Sequence, residues 1–198
     1  MDSEDINAGL CKLLGYYLAE GSASGKNGKL HHLDFSLHRT EEAIAEEIYQ
    51  ECFRIYGKAR HYLSPHINRQ TARAVVVDSS AAAQHMVDLG GKGAANKQMS
   101  NAVMHLPPEK QLQILLGWLA GDGHTTKHRR FKQGIVCSGT TISHKLVYQM
   151  QQIALRCGLF ASINSLKPGG RRKNTSYTLL FTGDAARRLV LCHTSNLG

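Results

Sequence analysis

An internal repeat limits the possible folds of this chain more than any other sequence feature. The stretches LLGYYLAEGS (residues 13–22) and LLGWLAGDGH (residues 115–124) share leucines, small residues and an acid followed by glycine. At the offset that separates Glu20 from Asp122, further positions match without an insertion. Among them are Ser36 with Ser138, Ile44 with Leu146 and Ile48 with Met150. The sequence therefore predicts two copies of one folded unit.

Each copy predicts the same order of helices and strands. Leucines at helical spacing end at a glycine stop, a hairpin and a capped amphipathic helix follow, and a second pair of strands precedes a closing helix. Thr40 and Ser143 are the predicted caps of the amphipathic helices. The predicted class is α+β, with pseudo-twofold tandem αββαββα units and antiparallel sheets. The predicted bounds are 1–90 for the first unit, 91–106 for the linker and 107–198 for the second unit.

The two leucine-rich helices carry small residues four positions apart, Gly15 with Ala19 and Gly117 with Gly121. This spacing puts the small residues on one helical face, where the missing side chains let two backbones approach closely. The alternative interpretation is a pair of ordinary core helices that happen to contain glycine. Close packing would bring the two helices side by side at the interface between the units.

Glu20 and Asp122 occupy the last turn of these helices, beside carbonyl groups expected to be uncapped and partially negative. An acid at that end costs roughly 0.3–1 kcal/mol. Two such acids brought together cannot both stay ionised without a compensating charge. Because Mg²⁺ takes carboxylate oxygens together with water and phosphate, the pair predicts a divalent-metal site at the joined helix ends.

The charge of the chain favours a polyanionic partner. Lys and Arg number 24 against 15 Asp and Glu, which gives a formal net charge of +9 at pH 7. Two hairpins rich in basic and polar residues flank the acids, and alternation along a strand directs one set of side chains to one sheet face. We expect the two sheets to form a DNA-binding saddle that follows a duplex groove. A solvated surface is the alternative for either hairpin taken alone.

The residues expected to contact DNA lie in these hairpins and near the later strands of each unit. In the first unit they are Ser22, Ser24, Lys26, Lys29, His31, Ser36, His38, Arg39, Arg69 and Arg73. In the second unit they are His124, Thr126, Lys127, Arg129, Arg130, Lys132, Gln133, Ser138, Thr140, Lys167, Arg171, Arg172 and Lys173.

Cysteine usage and hydropathy disfavour a secreted or membrane protein. The five cysteines are scattered without a C-x-x-C pair, which is typical of thiols in a reducing cytosol. The acidic start of the chain does not resemble a signal peptide, and no apolar run reaches the ~18 residues of a membrane span. We therefore expect an intracellular protein, in the cytoplasm, nucleoid or an organelle matrix, without a membrane partner.

Two other motifs are given simpler interpretations. His31-His32 with His38 resembles a metal cluster, but adjacent residues of a strand point to opposite faces, so exposed polar side chains are preferred. Gly90-Gly91-Lys92-Gly93 lacks the strand-to-helix context of a phosphate-binding loop and is interpreted as part of a flexible linker.

At the two motifs, Leu13–Gly21 (LLGYYLAEG) and Leu115–Gly123 (LLGWLAGDG), the sequence resembles the LAGLIDADG homing endonucleases. The resemblance covers nearly the whole chain and implies a monomer with both motif helices packed at the domain interface. Such enzymes hydrolyse both strands of long double-stranded DNA targets, leave short 3′ overhangs and promote intron or intein mobility. The implied cofactor is Mg²⁺, with Mn²⁺ expected to substitute and Ca²⁺ expected to bind without supporting cleavage.

The resemblance also implies roles for individual residues. Glu20 and Asp122 would be the metal-binding catalytic acids, and the backbone carbonyls of Ala19 and Gly121 would be further metal ligands. Residues 90–109 are similar to the segment before the second motif in intein-embedded members, where a lysine approaches the active site, and Lys97 matches that lysine. Finally, the family places polar groups that order the attacking water at the positions of His38, Arg39 and Thr140.

The sequence departs from the family pattern in two respects. The second unit ends at Gly198 before a counterpart of Lys97, so we expect one half-site to lack its lysine. The nucleophilic first residue and the terminal His-Asn of a splicing intein are both missing, which favours a free-standing enzyme or an endonuclease domain separated from its host. A DNA-binding regulator and an intron RNA maturase of the same fold are the alternatives. Such regulators usually lose an acid, and both acids are present here.

Overall fold

Two successive units with the same order of helices and strands are joined by a linker. The computed structural model describes residues 6–63, 72–127, 134–170 and 173–195. The first unit comprises α1 (Ala8–Glu20), β1 (Gly21–Lys26), β2 (Lys29–His38), α2 (Glu42–Tyr56), β3 (Arg60–Leu63), β4 (Ala72–Asp78) and α3 (Ser80–Gly90). The linker holds a 3-10 turn (Ala94–Asn96) and the short helix α4 (Asn101–Met104). The second unit comprises α5 (Pro108–Asp122), β5 (Gly123–Lys127), β6 (Ile135–Thr141), α6 (His144–Arg156), β7 (Ala161–Leu166), β8 (Ser176–Thr182) and α7 (Gly183–Ser195). Within these described ranges, no helix is both long and apolar enough to cross a membrane.

Each unit has one four-stranded antiparallel sheet, with strand orders β1-β2-β4-β3 and β5-β6-β8-β7. Leu33, Phe35 and Leu37 are buried at alternate positions of β2, so one face of the first sheet belongs to the core. In the second sheet, Leu179 and Phe181 of β8 do the same. We call the opposite face of each sheet, which carries the alternate positions, its open face. The predicted α+β class with two αββαββα units is confirmed.

Local sequence signals explain several element ends. The β1–β2 turn uses Asn27 and Gly28, whose φ angles of 52° and 75° are the left-handed values that a two-residue hairpin requires. Ser143 caps α6, because its hydroxyl accepts a hydrogen bond from the Leu146 amide at 3.2 Å. Pro108 occupies the first turn of α5, where its missing N–H is harmless.

Two predicted helix ends differ from the structure. Thr40 does not cap α2: the helix begins at Glu42, and the Thr40 hydroxyl lies 2.8 Å from His38 Nδ1 in the preceding turn. Gly21 does follow α1, but its backbone is extended, with φ −82° and ψ 151°, and not left-handed. Glycine is needed there for clearance, since an added Cβ would lie 2.6 Å from the Tyr17 Cα.

Helices α1 and α5 pack with their backbones in contact. A Cβ added at Gly15 would lie 2.7 Å from the Trp118 amide nitrogen, and one added at Gly117 would lie 3.1 Å from the Gly15 Cα. Both added atoms would also collide with a backbone carbonyl of the facing helix, that of Ile114 or Lys12. This is the close packing that the small residues predicted.

Candidate metal and nucleic-acid site

The two acids meet where the paired helices end. Glu20 is the last residue of α1 and Asp122 the last residue of α5, and each helix leads directly into the first strand of its sheet. A Cβ added at Gly121 would lie 2.6 Å from the Ala19 Cβ and 3.1 Å from the Glu20 Cγ. The helix packing therefore places Gly121, the residue before Asp122, against Ala19 and Glu20. The first strands of the two sheets, β1 and β5, begin at this point.

Burial makes both acids hard to ionise. It raises the pKa of Glu20 to about 7, with further contributions from the charges of Asp122 and Glu41. Burial raises the pKa of Asp122 to about 6, although the nearby Lys97 partly offsets the rise. The pair is therefore poised to lose its protons close to neutral pH.

The indole of Trp118 lies one helical turn before Asp122. Its Nε1 is buried and makes no hydrogen bond of standard geometry within the described residues, yet its proximity lowers the Asp122 pKa. The six-membered end of the ring packs on Gly139 of β6, where an added Cβ would lie 2.6 Å from the ring. The indole N–H thus points towards the Asp122 carboxylate and favours its ionised form.

Lys97 reaches the acids from the linker. Its ammonium donates to the carbonyl oxygens of Tyr17 at 2.8 Å, Leu18 at 3.1 Å and Ala19 at 3.1 Å, and only 6% of the residue is exposed. Burial lowers the Lys97 pKa to about 8, and the two acids act in the opposite direction. The expectation that the last carbonyls of α1 are uncapped is wrong, because the linker folds back and supplies this cation.

A cleft of about 270 Å³ opens beside these groups. Its lining brings together several residues that are far apart in the sequence, and these are Leu18, Ala19, Ala94, Lys97, Asp122, Thr140, Thr141 and Ile142. Four predicted site residues, Ala19, Lys97, Asp122 and Thr140, therefore line one cavity. The cleft is large enough for water and for part of a phosphate group.

The donor chemistry of the site fits a hard divalent cation. Two carboxylates and the Ala19 carbonyl supply oxygen ligands. Burial raises the pKa of both carboxyls, so a bound cation would favour their ionised forms. Groups of three or more His, Cys, Asp and Glu that could hold a metal are absent from the described residues. A cation here would need water or phosphate oxygens to complete its coordination, as Mg²⁺ commonly does.

Most of the predicted DNA contacts in the described strands lie on the open faces. Strand alternation and register place there Ser22, Ser24, Lys26, Ser36 and His38 of the first sheet and His124, Thr126, Ser138 and Thr140 of the second. Lys29 is exposed beside the β1–β2 turn, Arg39 is exposed after β2, and Lys167 and Lys173 are exposed between β7 and β8. Outside the described residues lie Arg69, Arg129, Arg130, Lys132, Gln133, Arg171 and Arg172, and of Lys127 only the strand position is described.

Arg73 is placed elsewhere. It shares the core side of the first sheet with Val75 and Val77, and its side chain is only 12% exposed. Its guanidinium lies 3.1 Å from His61 Nε2 and 3.5 Å from the Glu42 carboxylate. The structure therefore contradicts the expectation that Arg73 contacts DNA, because its position along β4 has the wrong parity.

His31 and His32 do not point to opposite faces. Their ring centroids are 6.2 Å apart, because the pairing of β1 with β2 shifts register at Ser24–Gly25 and leaves one extra residue in β2. The inference from regular alternation was wrong, although the described residues still show no metal cluster at these histidines.

Part of the open face of the first sheet was not predicted from the sequence. His32 Nδ1 lies 2.7 Å from the Asp78 carboxylate, which also pairs with Arg60, and Ser24 donates to Asp34 at 3.1 Å. The His32 hydrogen bond is the main reason why the Asp78 pKa is lowered. The period of β2 could have identified His32 and Asp34, whereas Arg60 and Asp78 join them only through strand pairing.

Comparisons with known proteins agree with this geometry. Residues 109–191 match the family model described as LAGLIDADG-like domain. A structure of mesophilic variants of the homing endonuclease I-DmoI is similar over 92% of this chain and 93% of that chain, with TM-score 0.65 and 12% identity. Another I-DmoI structure, in complex with its nicked target DNA and with Mn, covers 94% of each chain with TM-score 0.63 and 12% identity. The N-terminal LAGLIDADG domain of DUF199/WhiA covers 96% of this chain and 81% of that one, with TM-score 0.53 and 15% identity.

Among curated proteins, an iron-sulfur cluster assembly SufBD family protein of Mycobacterium tuberculosis is 32% identical over 160 residues, which are 80% of this chain and 18% of that protein. An uncharacterized protein of Methanocaldococcus jannaschii is 27% identical over 172 residues, 83% of this chain and 19% of that protein. The chain thus spans less than a fifth of either relative. The fold and the family match define the class: residues 109–191 belong to the LAGLIDADG-like domain family, and the whole chain has the fold of the solved LAGLIDADG proteins. Its two motif helices, α1 and α5, are both contributed by one polypeptide.

Proposed function

We propose that this chain is a site-specific homing endonuclease that hydrolyses both strands of a long double-stranded DNA target and leaves short 3′ overhangs. The observation that carries the proposal is the pair of half-buried acids at the ends of α1 and α5, next to the buried ammonium of Lys97. This cluster lies where the two sheets begin, so a duplex on both open faces would pass over it.

Glu20, Asp122 and the backbone carbonyls of Ala19 and Gly121 would hold Mg²⁺, with Mn²⁺ as a substitute and Ca²⁺ as a cation that binds without supporting cleavage. When bound, the metal supplies positive charge that acidifies water and stabilises the leaving 3′ oxygen. The raised pKa values of both carboxyls support this assignment, because a divalent cation provides the compensation that Lys97 alone does not.

The other residues of the site bind and orient. Lys97 is a buried cation that lines the cleft, where it would stabilise negative charge that develops on the scissile phosphate. Thr140 lines the same cleft and, with His38 and Arg39, would order the attacking water. Ser22, Ser24, Lys26 and Ser36 of the first open face would contact one half of the target, and His124, Thr126 and Ser138 the other half.

The biological setting is part of the proposal. The curated relatives are several times longer than the matched segment, and one is a SufBD family protein. This length difference supports an endonuclease of the kind that moves an intein or intron within a host gene. Because one chain supplies both acids and both sheets, we expect it to act as a monomer on DNA inside the cell.

The test is incubation of the protein with a randomised duplex library and Mg²⁺, followed by sequencing of the cut ends. We expect one family of cleaved sequences with 3′ overhangs, lost in Glu20→Gln and Asp122→Asn. Duplex binding without cleavage in Mg²⁺ or Mn²⁺ would favour a DNA-binding regulator, for which the similarity to the WhiA domain is the supporting observation. Selective binding of structured RNA would favour a maturase.

A further inference from the structure

The linker residue that carries the active-site ammonium is held from its other side by α6. The Ser143 hydroxyl donates to the Lys97 carbonyl oxygen at 2.6 Å and accepts from the Leu146 amide at 3.2 Å. Ser143 is 1% exposed, and its own amide donates to Thr141 Oγ1 at 3.1 Å. One buried residue, Ser143, therefore connects Lys97 to the start of α6 through its hydroxyl and to the strand that lines the cleft through its amide.

A second side chain of α6, that of Gln149, binds the linker at Met99, two residues after Lys97. Gln149 Oε1 accepts from the Met99 amide at 2.8 Å, and Gln149 Nε2 donates to the Met99 carbonyl at 2.8 Å. Both backbone groups of Met99 are thus satisfied by one amide side chain, in the way that a neighbouring strand would satisfy them. This arrangement fixes the position and rotation of the linker backbone.

Alternate residues of the linker are bound by opposite units. The Gln98 amide donates to the Gly90 carbonyl at 3.0 Å and the Ser100 amide to the Leu89 carbonyl at 2.9 Å, both at the end of α3. Lys97 and Met99 instead present backbone groups to α6. An extended segment with this twofold alternation is clamped between the first and second units.

We propose that Ser143 and Gln149 are positioning residues that hold the Lys97 ammonium at the acidic pair. This inference rests on the proposed endonuclease function, in which Lys97 acts on the scissile phosphate. A lysine side chain has a flexible four-carbon stem with four rotatable bonds. A fixed backbone is therefore needed to keep its ammonium on three particular carbonyls. A misplacement of about 1 Å in such a group can cost on the order of 100-fold in rate.

Ser143 is also the N-cap of α6, so the loss of a helix cap must be distinguished from the loss of the hydrogen bond to Lys97. Ser79 is a matched control: it caps α3 by accepting from the Ala82 amide at 3.3 Å, and within the described part of the chain its hydroxyl makes no hydrogen bond to Lys97. Both Ser→Ala substitutions remove one helix cap, and only Ser143→Ala also removes the bond to the lysine.

The experiment measures single-turnover cleavage at saturating DNA, together with DNA affinity, for wild type, Ser143→Ala, Ser143→Thr, Gln149→Met and Ser79→Ala. Ser143→Ala and Gln149→Met should slow cleavage by about tenfold or more with DNA affinity changed less than about twofold. Ser143→Thr keeps the hydroxyl and should restore most of the rate, and Ser79→Ala should cleave as wild type does. A folded Ser143→Ala protein with the wild-type rate, or a Ser143→Thr protein as slow as Ser143→Ala, would overturn the inference.

The decisive arm repeats Ser143→Ala in a Lys97→Met background. If Ser143 acts through Lys97, the second substitution should slow cleavage less than about twofold further. Equal slowing in both backgrounds would show that Ser143 acts by another route.

A double-mutant cycle on the free energy of unfolding requires no catalysis, so it tests the positioning role separately from the proposed function. If the wild-type protein cleaves no DNA, the endonuclease proposal fails. The contacts of Ser143 and Gln149 with the linker are then measured by thermal unfolding and by hydrogen exchange at the Met99 amide. Ser143→Ala and Lys97→Met should then be non-additive in unfolding free energy, Ser79→Ala and Lys97→Met should be additive, and Gln149→Met should speed exchange at Met99. Additive effects of Ser143→Ala and Lys97→Met, or an unchanged exchange rate at Met99 in Gln149→Met, would refute the positioning role.

Discussion

At the scale of single residues, burial of the acidic pair weakens the metal-free fold once the two carboxyls ionise. Glu20 and Asp122 have folded-state pKa values of about 7 and 6, above the ordinary values of 4.5 and 3.8. The folded protein therefore holds these protons more tightly than the unfolded chain does. The resulting stability is fully present below the unfolded pKa values and is lost as pH rises through about 6 to 7.

Neutral replacements of the acids should stabilise the metal-free protein while they abolish cleavage. Glu20→Gln and Asp122→Asn should each raise the free energy of unfolding at alkaline pH by about 1 kcal/mol after solvent screening, and have little effect in acid. Their cleavage rates should fall by orders of magnitude. The measurements are melting temperature in a chelator at both pH values and cleavage of a cognate plasmid.

A matched control uses the first turn of α5, the helix that ends at Asp122. Glu109 is exposed in the first turn of α5, where a negative charge is favourable, so Glu109→Gln should slightly lower the melting temperature and leave cleavage intact. Loss of stability in both acid variants would instead assign Glu20 and Asp122 a structural role.

Metal affinity should depend on the same two protons. Because ligand carboxyls must be deprotonated, Mn²⁺ should bind the DNA-free protein more tightly as pH rises through the range of about 6 to 7 given by the two pKa values. Calorimetric titration in buffers of different ionisation enthalpy should show proton release that decreases at higher pH. An affinity that is independent of pH across this range would contradict binding at these acids.

At the scale of elements, the contact between α1 and α5 decides where the acids stand. Gly117 has no room for a methyl group, since an added Cβ would collide with the Lys12 carbonyl and lie 3.1 Å from the Gly15 Cα. Two rigid backbones cannot move apart without shifting both acids. The helix pair is therefore both the centre of the core and the frame of the site.

Gly117→Ala should lower the free energy of unfolding by about 1–3 kcal/mol, because it overpacks a backbone-to-backbone contact. Gly169→Ala is the control: nothing lies within 4 Å of an added Cβ there, and its φ is not in the left-handed range. That variant should be neutral or slightly stabilised. Denaturant unfolding of both proteins tests the difference, and equal stabilities would mean that the helices tolerate separation.

At the scale of the whole molecule, the two open faces and the net charge of +9 should govern DNA affinity. Phosphate neutralisation releases counterions, so affinity for non-target duplex should fall steeply with salt. Lys26 is exposed on the first open face, whereas Arg73 is engaged with His61 and Glu42 behind it.

These two residues give a paired prediction. Lys26→Ala should reduce the log–log salt slope by about 1, while Arg73→Met should leave the slope unchanged. Fluorescence anisotropy with a labelled non-target duplex at several salt concentrations measures both. A wild-type slope near zero would contradict the nucleic-acid interface itself, and a reduced slope in Arg73→Met would contradict the assignment of the open face.

Features carried by neighbouring residues could be derived from the sequence alone. The repeat, the helical spacing of leucines, the small residues of α1 and α5 and the Asn27-Gly28 turn act over a few residues, and they predicted two αββαββα units with paired acids. Local physics determines such features, because helix period, strand alternation and turn conformation depend on adjacent side chains.

Only the tertiary structure decided the rest. The side of the sheet that Arg73 occupies and the proximity of His31 to His32 depend on strand register and on one extra residue in β2. The hydrogen bond from Ser143 to the Lys97 carbonyl depends on the path of the linker between the two units. These relations join residues far apart along the chain, and their energies come from burial and hydrogen bonding after the units dock, which no local sequence pattern encodes.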